Sequence, residues 1–349
     1  CGEVMTAEGV EAAAEARAFS MVGITEVAGG LPRAWRAFRR LVKAAASRRP
    51  QLAVLIDSPS LNMRLANRLK RLGIPVLYFV SPQIWAWKKW RLRQLRPLVD
   101  RMVCIFDFEP EIYRKAGIPA EYSGHPLAET AAASVSRDEF FARAGLDPSI
   151  PTVALLPGSR KIELSYILPT LLEAAGQLAK ECQFVVAVAP GLSASAIENQ
   201  IKRNQTCASA RICILEHSAC DALAWSTIAV VASGTATIEA ALLDRPMVVV
   251  YRVSPVTAFL ARRMVDVPFF SMVNILAGRK IVQELIQRDF TAARLAGEVR
   301  KLLGDSEAQA RMAEDLRAVK QRLGGGGAIQ RLADAVLRMA GRNGSSVIQ

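Results

Sequence analysis

Two polar runs in the second half of the sequence carry the residue types that hold phosphate. Leu155-Leu156-Pro157-Gly158-Ser159-Arg160 closes one apolar run, and Ser233-Gly234-Thr235-Ala236-Thr237-Ile238-Glu239 follows the apolar run Ile228 to Ala232. Glycine lets backbone amides approach an anion closely, serine and threonine add donors, and a guanidinium suits diphosphate by charge and bidentate geometry. Glu239 falls about one helical turn beyond, where a carboxylate can hold ribose hydroxyls. Neither run is a Walker loop, since no Gly-Lys-Ser/Thr follows, and neither reads Gly-x-Gly-x-x-Gly. Either run alone also fits an ordinary turn with an exposed arginine. Two of them in one half of the chain point to a nucleotide.

The first half carries different chemistry. Asp57 directly follows Leu52 to Ile56 and opens Asp57-Ser58-Pro59-Ser60-Leu61-Asn62, a turn that enters a helix. A carboxylate there is either a helix cap or a general base that takes a proton from an attacking hydroxyl. Val80-Ser81-Pro82-Gln83 leads into Trp85, Trp87 and Trp90 beside a basic stretch, a composition suited to core packing, to an interfacial helix or to base stacking. Gly124-His125-Pro126 holds one of only two histidines, in a turn where a structural role and a catalytic one both remain open. Leu31, Trp35, Phe38 and Val42 recur at helical spacing with Arg33, Arg36, Arg39, Arg40 and Lys43 between them, and no acid occurs from Val27 to Pro50. That is a basic amphipathic helix suited to an anionic membrane surface.

The elements that must position these residues follow from the apolar runs. Leu52 to Ile56, Val76 to Val80, Met102 to Phe106, Thr152 to Leu156, Phe184 to Ala189, Ile228 to Ala232 and Met247 to Tyr251 are continuous rather than alternating, with helical stretches between them. Strands buried on both faces belong to parallel sheets covered by helices, so the class is α/β. At 349 residues the chain exceeds one ordinary core, and the strand pattern lapses between Pro126 and Pro151. Gly324 to Gly327 reads as a joint before a last helix, Ala328 to Ala340. A net charge of +13 favours an anionic partner. Six cysteines without Cys-x-x-Cys spacing and two histidines leave zinc without its usual ligands and favour a reducing compartment. No uncharged run approaches the length of about 18 residues that spans a bilayer, and Cys1 reads as the result of a missing beginning rather than as a lipidated cysteine.

Ser20-Met-Val-Gly-Ile24, Ile56-Asp-Ser-Pro59, Val80-Ser-Pro-Gln-Ile-Trp-Ala-Trp87, Gly124-His-Pro126, Leu156-Pro-Gly-Ser-Arg160, Ser233-Gly-Thr-Ala-Thr-Ile-Glu239 and Asn274-Ile-Leu-Ala-Gly-Arg279 occur in this order. In that the chain resembles the lipid-A-disaccharide synthase family over nearly its whole length. The resemblance implies a GT-B fold, two Rossmann-like parallel-sheet domains facing across a cleft, with boundaries expected at 1–128 and 129–327 and a terminal helix and tail at 328–349. It implies an inverting transfer from UDP-2,3-diacylglucosamine to the 6-hydroxyl of 2,3-diacylglucosamine 1-phosphate, giving the β-1,6-linked disaccharide 1-phosphate and UDP. On this expectation Asp57 is the base. Arg160 and the amides of Ser233, Gly234 and Thr235 serve the leaving diphosphate, Glu239 the ribose, and Asn274 contributes to the nucleotide sugar. Ser81, Gln83 and His125 are candidates for the acceptor or the cleft. Leu31, Trp35, Phe38, Arg39 and Arg40 would dock an anionic membrane surface, at the cytoplasmic side of the inner membrane.

No metal and no cofactor is expected, nucleic acid is not expected as a partner, and an oligomer is compatible with the sequence. The competing readings are another UDP-N-acetylglucosamine enzyme of the same fold and a basic nucleic-acid-binding protein. One departure stands out: the family opens with a strand and Gly-Glu-x-Ser-Gly-Asp, whereas Gly2-Glu3 is followed here by Val4. About one βα unit is therefore expected to be absent, with weak or no activity as the consequence.

Overall fold

The computed structural model describes residues 3–14, 24–83, 92–255, 257–258 and 268–344. Two sheets, each wholly parallel, organise them. The first has the order β1-β2-β3-β4, with β1 Ala53–Ile56, β2 Val76–Phe79, β3 Arg101–Cys104 and β4 Ala120–Tyr122. The second has the order β10-β9-β8-β5-β6-β7. Its strands are β5 Thr152–Leu156, β6 Gln183–Val188, β7 Ile212–Glu216, β8 Ile228–Ala232, β9 Met247–Tyr251 and β10 Gln283–Ile286. Helices lie between successive strands, as parallel pairing demands. The α/β class expected from the apolar runs is the class observed.

Three strands, β4, β7 and β10, are not among the runs read from the sequence: β4 and β10 are short and interrupted by polar residues, while β7 carries only the four apolar residues Ile212 to Leu215. Each is the edge of its sheet. An edge strand has one neighbour and less cover, and its residues are mostly half-buried here, whereas β5, β6 and β8 are buried along their whole length. In β1, at the other edge of the first sheet, Leu55 points into the core while Val54 and Ile56 are exposed.

The chain divides into two compact units, Cys1–Gly124 with Gly327–Gln349, and His125–Gly326. The terminal stretch expected to stand apart at 328–349 belongs instead to the first unit. Its helix, Ala328–Gly344, is tied there by Arg331, whose Nε donates to Ser123 O at 2.6 Å, and by Arg338, which reaches Glu121 at 3.1 Å. The core of the first unit gathers Leu55, Ala66, Tyr78, Met102 and Tyr113 around its sheet. That of the second packs Val153, Leu171, Phe184, Val230, Val248 and Val299. Cys104, Cys182, Cys207, Cys213 and Cys220 are free thiols. Among the described residues no helix is long and apolar enough to cross a membrane, and no cluster of His, Cys, Asp or Glu is placed to hold a metal.

In the second core, the helix Lys161–Gln177 lies against the short 3-10 turn Gln205–Cys207 so closely that a Cβ on Gly176 would sit 1.8 Å from Thr206 O. Backbone cannot yield as a side chain can. Gly176→Ala should therefore destabilise the second unit by about 1–3 kcal/mol despite alanine's better helix propensity, read as a lower denaturation midpoint.

Candidate active site

In the second sheet the chain runs outward from β5 through β6 to β7, then returns to the other side of β5 as β8 and continues outward to β9 and β10. The carboxyl ends of β5 and β8 therefore flank the point where the connections diverge, the usual ligand crevice of an open parallel sheet. Leu156 pairs with Val231, so the turn Pro157–Arg160 and the turn Ser233–Thr235 leave the sheet side by side. They enclose a pocket of about 380 Å³ lined by Gly158, Ser159, Arg160, Glu163, Ser233, Gly234, Thr235 and Glu239, with Ala187, Ala189 and Pro190 completing the wall. Arg160, Ser233, Gly234, Thr235 and Glu239 are thus brought together.

Donor by donor, the pocket differs from the sequence expectation. Ser233 is already engaged: its amide donates to Val250 O at 2.9 Å in line with the sheet, and its hydroxyl donates to Phe270 O at 3.0 Å. The amides of Gly234, Thr235 and Ala236 have no acceptor among the described residues. These three are the ones available to an anion. On the other side, the Glu163 carboxylate accepts from the amides of Ser159 (2.9 Å) and Arg160 (3.2 Å) and from Arg160 Nη1 (2.6 Å). Glu163 is buried, while the Arg160 side chain is 57% exposed, so the guanidinium is held from behind and open in front. Gly158, at φ +115°, makes room: a Cβ there would come within 2.6 Å of Glu163 Oε2. The sequence marks Glu163 only as a residue after the turn; its part as the partner of Arg160 is visible in the structure alone.

Glu239 has no side-chain partner among the described residues, and burial pushes its carboxyl above the usual carboxylate range. Asn274, expected beside the nucleotide, is fully buried outside the pocket lining. Its Nδ2 donates to Val282 O (3.0 Å) and Glu284 (2.8 Å), and its Oδ1 accepts from the amides of Ile281 (2.7 Å) and Val282 (3.0 Å). Glu284 in turn accepts from the amides of Phe270 and Ser271. Asn274 therefore reaches the pocket only by propping the segment whose Phe270 carbonyl takes the Ser233 hydroxyl.

In the first unit, Asp57 follows β1 with an exposed carboxylate that makes no hydrogen bond within the described residues. It is not a helix cap: the cap position of the helix Pro59–Arg71 belongs to Ser58. Ser81, a candidate for the acceptor or the cleft, is buried, and its hydroxyl donates to the buried Glu109 at 2.5 Å. Gln83 is exposed, and residues 84–91, with Trp85, Trp87 and Trp90, lie outside the described residues. The basic helix is confirmed as Ile24–Arg48. On it Trp35 is 56% exposed and stacks on the half-buried Phe38 at 5.8 Å, and Arg33, Arg36, Arg39, Arg40 and Lys43 are exposed. The side chain of Leu31 lies outside the described residues.

A family model described as lipid-A-disaccharide synthetase matches residues 1–335. The chain belongs to this family. As a lipid-A-disaccharide synthetase family member it is a glycosyltransferase of lipid A biosynthesis. It is 42% identical over 341 residues to a lipid-A-disaccharide synthase of Myxococcus xanthus (strain DK1622), covering 97% of this chain and 88% of that one. It is 43% identical over 332 residues to the synthase of Anaeromyxobacter dehalogenans (strain 2CP-C), covering 94% and 86%. In fold it is similar to UDP-GlcNAc 2-epimerase from Neisseria meningitidis bound to UDP-GlcNAc, with a TM-score of 0.62 at 13% identity over 96% of this chain and 88% of that chain. The fold is GT-B, two parallel-sheet domains of Rossmann type.

His125, the remaining candidate in this family member, is buried, and its Nδ1 accepts from the Leu127 amide at 3.2 Å while its own amide donates to Leu323 O at 2.8 Å. Its ring holds the turn. Burial pushes its pKa down from 6.5 to about 4. The folded state thus resists the proton that the unfolded chain accepts, so stability is complete above pH 6.5 and falls as pH drops from 6.5 towards 4, by about 3 kcal/mol at most. Denaturation midpoints across that range should fall for the parent and lose this contribution in His125→Gln.

Proposed function

We propose that the enzyme joins UDP-2,3-diacylglucosamine to 2,3-diacylglucosamine 1-phosphate with inversion, and that the pocket between the ends of β5 and β8 holds the UDP portion of the donor. The observation that carries the reading is the convergence, in one pocket of a family member, of a backed guanidinium with three amides and a partly buried carboxylate that have no partner among the described residues. The 6-hydroxyl oxygen of the acceptor attacks the anomeric carbon and its proton passes to the Asp57 carboxylate. The bond from the anomeric carbon to the diphosphate breaks, and its electron pair leaves with UDP. Arg160 and the Gly234–Ala236 amides offset the charge that develops on the diphosphate, where preorganised donors act most strongly. Glu239 accepts from the ribose hydroxyls. If arginine and amides supply the positive charge, no metal is required.

Offering acylated and unacylated UDP-sugars tests the substrate class. Turnover should require the acylated donor; equal turnover of both would favour a UDP-N-acetylglucosamine enzyme of the same fold. Within the site, Arg160→Ala should weaken UDP binding by calorimetry without unfolding the chain. Asp57→Asn should keep UDP affinity and lower turnover by roughly 10²- to 10⁴-fold, the scale of general base catalysis.

Both substrates carry acyl chains that reside in a bilayer, and we assign the docking surface to the helix Ile24–Arg48, at the cytoplasmic face of the inner membrane. Trp35 with Phe38 supplies the apolar contact, and Arg39 and Arg40 with their basic neighbours meet anionic headgroups. Each basic residue near such a surface contributes about 1 kcal/mol before screening. Sedimentation with vesicles should show binding to anionic but not neutral lipid, weakened by salt and lost in Trp35→Ser with Phe38→Ser while the fold is kept. Undiminished sedimentation of that double variant would place docking elsewhere.

A further inference from the structure

Among the described residues no side chain bonds the carboxylate of Asp57, and its backbone is unusual. Asp57 has φ +48° and Ser58 has φ +45° and ψ +60°, two consecutive non-glycine residues in the left-handed region. Such residues are disfavoured because Cβ crowds the following carbonyl, and they persist only where the surroundings over-determine them. Here the surroundings are two buried polar side chains. Asn62 Nδ2 donates to both Ile56 O (2.9 Å) and Asp57 O (2.7 Å), and the Tyr78 hydroxyl donates to Asp57 O at 2.5 Å. Asn62 is 6% exposed and Tyr78 is fully buried. The Asp57 amide adds a bond to Phe79 O at 3.0 Å, and the amides of Leu61 and Asn62 both donate to Ser58 O.

We propose that Asn62 and Tyr78 are positioning residues: together they clamp the Asp57 carbonyl, lock Asp57 and Ser58 in the left-handed conformation, and so aim the Asp57 carboxylate at the acceptor hydroxyl. The proposal rests on Asp57 being the base. Three features support it. Two buried donors converge on one carbonyl, more than is needed merely to satisfy that oxygen. They come from different elements, Asn62 from the helix that follows the turn and Tyr78 from β2, so the turn is fixed from two directions. The strand beside it ends the same way: Ile56 pairs with Phe79, and the next residue, Val80, sits at φ +58°, an outlying conformation for a β-branched residue. Rotation of residue 57 towards an ordinary conformation swings its Cβ, and with it the carboxylate, away from the direction the clamp imposes.

The test uses Tyr78→Phe, which removes one hydroxyl and keeps the ring, and Asn62→Ala, each alone and combined with Asp57→Asn, with UDP calorimetry and thermal unfolding as controls. Each single variant should lower kcat by roughly 10- to 100-fold, as expected for a misaimed group, with UDP affinity and the donor KM unchanged. In the Asp57→Asn background neither should lower the residual turnover further. Parental kcat in folded Tyr78→Phe and Asn62→Ala overturns the clamp, and so does an equal loss in the Asp57→Asn background, because the effect would then not pass through Asp57. Near-parental turnover in Asp57→Asn alone overturns the base reading itself, a result distinct from either failure of the clamp. Where Asn62→Ala fails to fold, Tyr78→Phe carries the test.

Discussion

In a parallel sheet every strand ends on the same side, so each sheet can present functional loops along one rim only. In the second unit the strand order adds a further constraint. From β5 the chain winds outward in one direction and later outward in the other, which leaves a gap where no connecting helix crosses between the ends of β5 and β8. The pairing of Leu156 with Val231 brings two turns that are distant in sequence to the two sides of that gap. The pocket follows from strand order before any particular side chain is considered.

A crevice binds an anion only with donors that remain unengaged. Here most polar groups at the rim are already paired. The Ser159 and Arg160 amides are held by Glu163, and both donors of Ser233 are held by Val250 and Phe270. Among the described residues, what remains is the open side of one guanidinium and three consecutive amides. Holding Arg160 from behind with a buried carboxylate removes rotamer freedom that a ligand would otherwise have to remove. It also offsets part of the positive charge of the guanidinium.

Much of this was legible in the sequence, and the failures share a cause. Buried parallel strands announce themselves by unbroken apolar runs, which is why the central strands and their rim turns could be located. The edges are harder to read: Ala120–Tyr122 and Gln283–Ile286 are short and carry polar residues, and the apolar stretch of β7 is only four residues long. The direction of polar residues in turns is hidden for a related reason. Ser81, His125 and Asn274 sit in motifs beside strand or helix ends, but a sequence does not show whether a polar side chain points to solvent or inward. All three point inward, where Glu109, the Leu127 amide and the backbone of residues 281–282 engage them. The partner of Arg160 was missed because a carboxylate three residues on reads equally well as an exposed helical residue.

The two sheets make their rim turns in opposite ways, and the contrast has a physical reason. After β5 the sharp turn uses Gly158, at a φ that side chains rarely adopt, and the space of the missing side chain is filled by Glu163. Arg160 itself is left in relaxed extended backbone, φ −122° and ψ 144°. After β1 the left-handed positions are Asp57 and Ser58, and after β2 Val80, none of them glycine. Glycine would relieve the strain at 57 but would delete the carboxylate, and a flexible neighbour at 58 would let that carboxylate wander. On the proposed reading, in which the strained residue is itself the base, freedom cannot come from glycine. The conformation has to be imposed by neighbours, and in this chain the neighbours in reach are a buried asparagine and a buried tyrosine hydroxyl that meet on the same carbonyl.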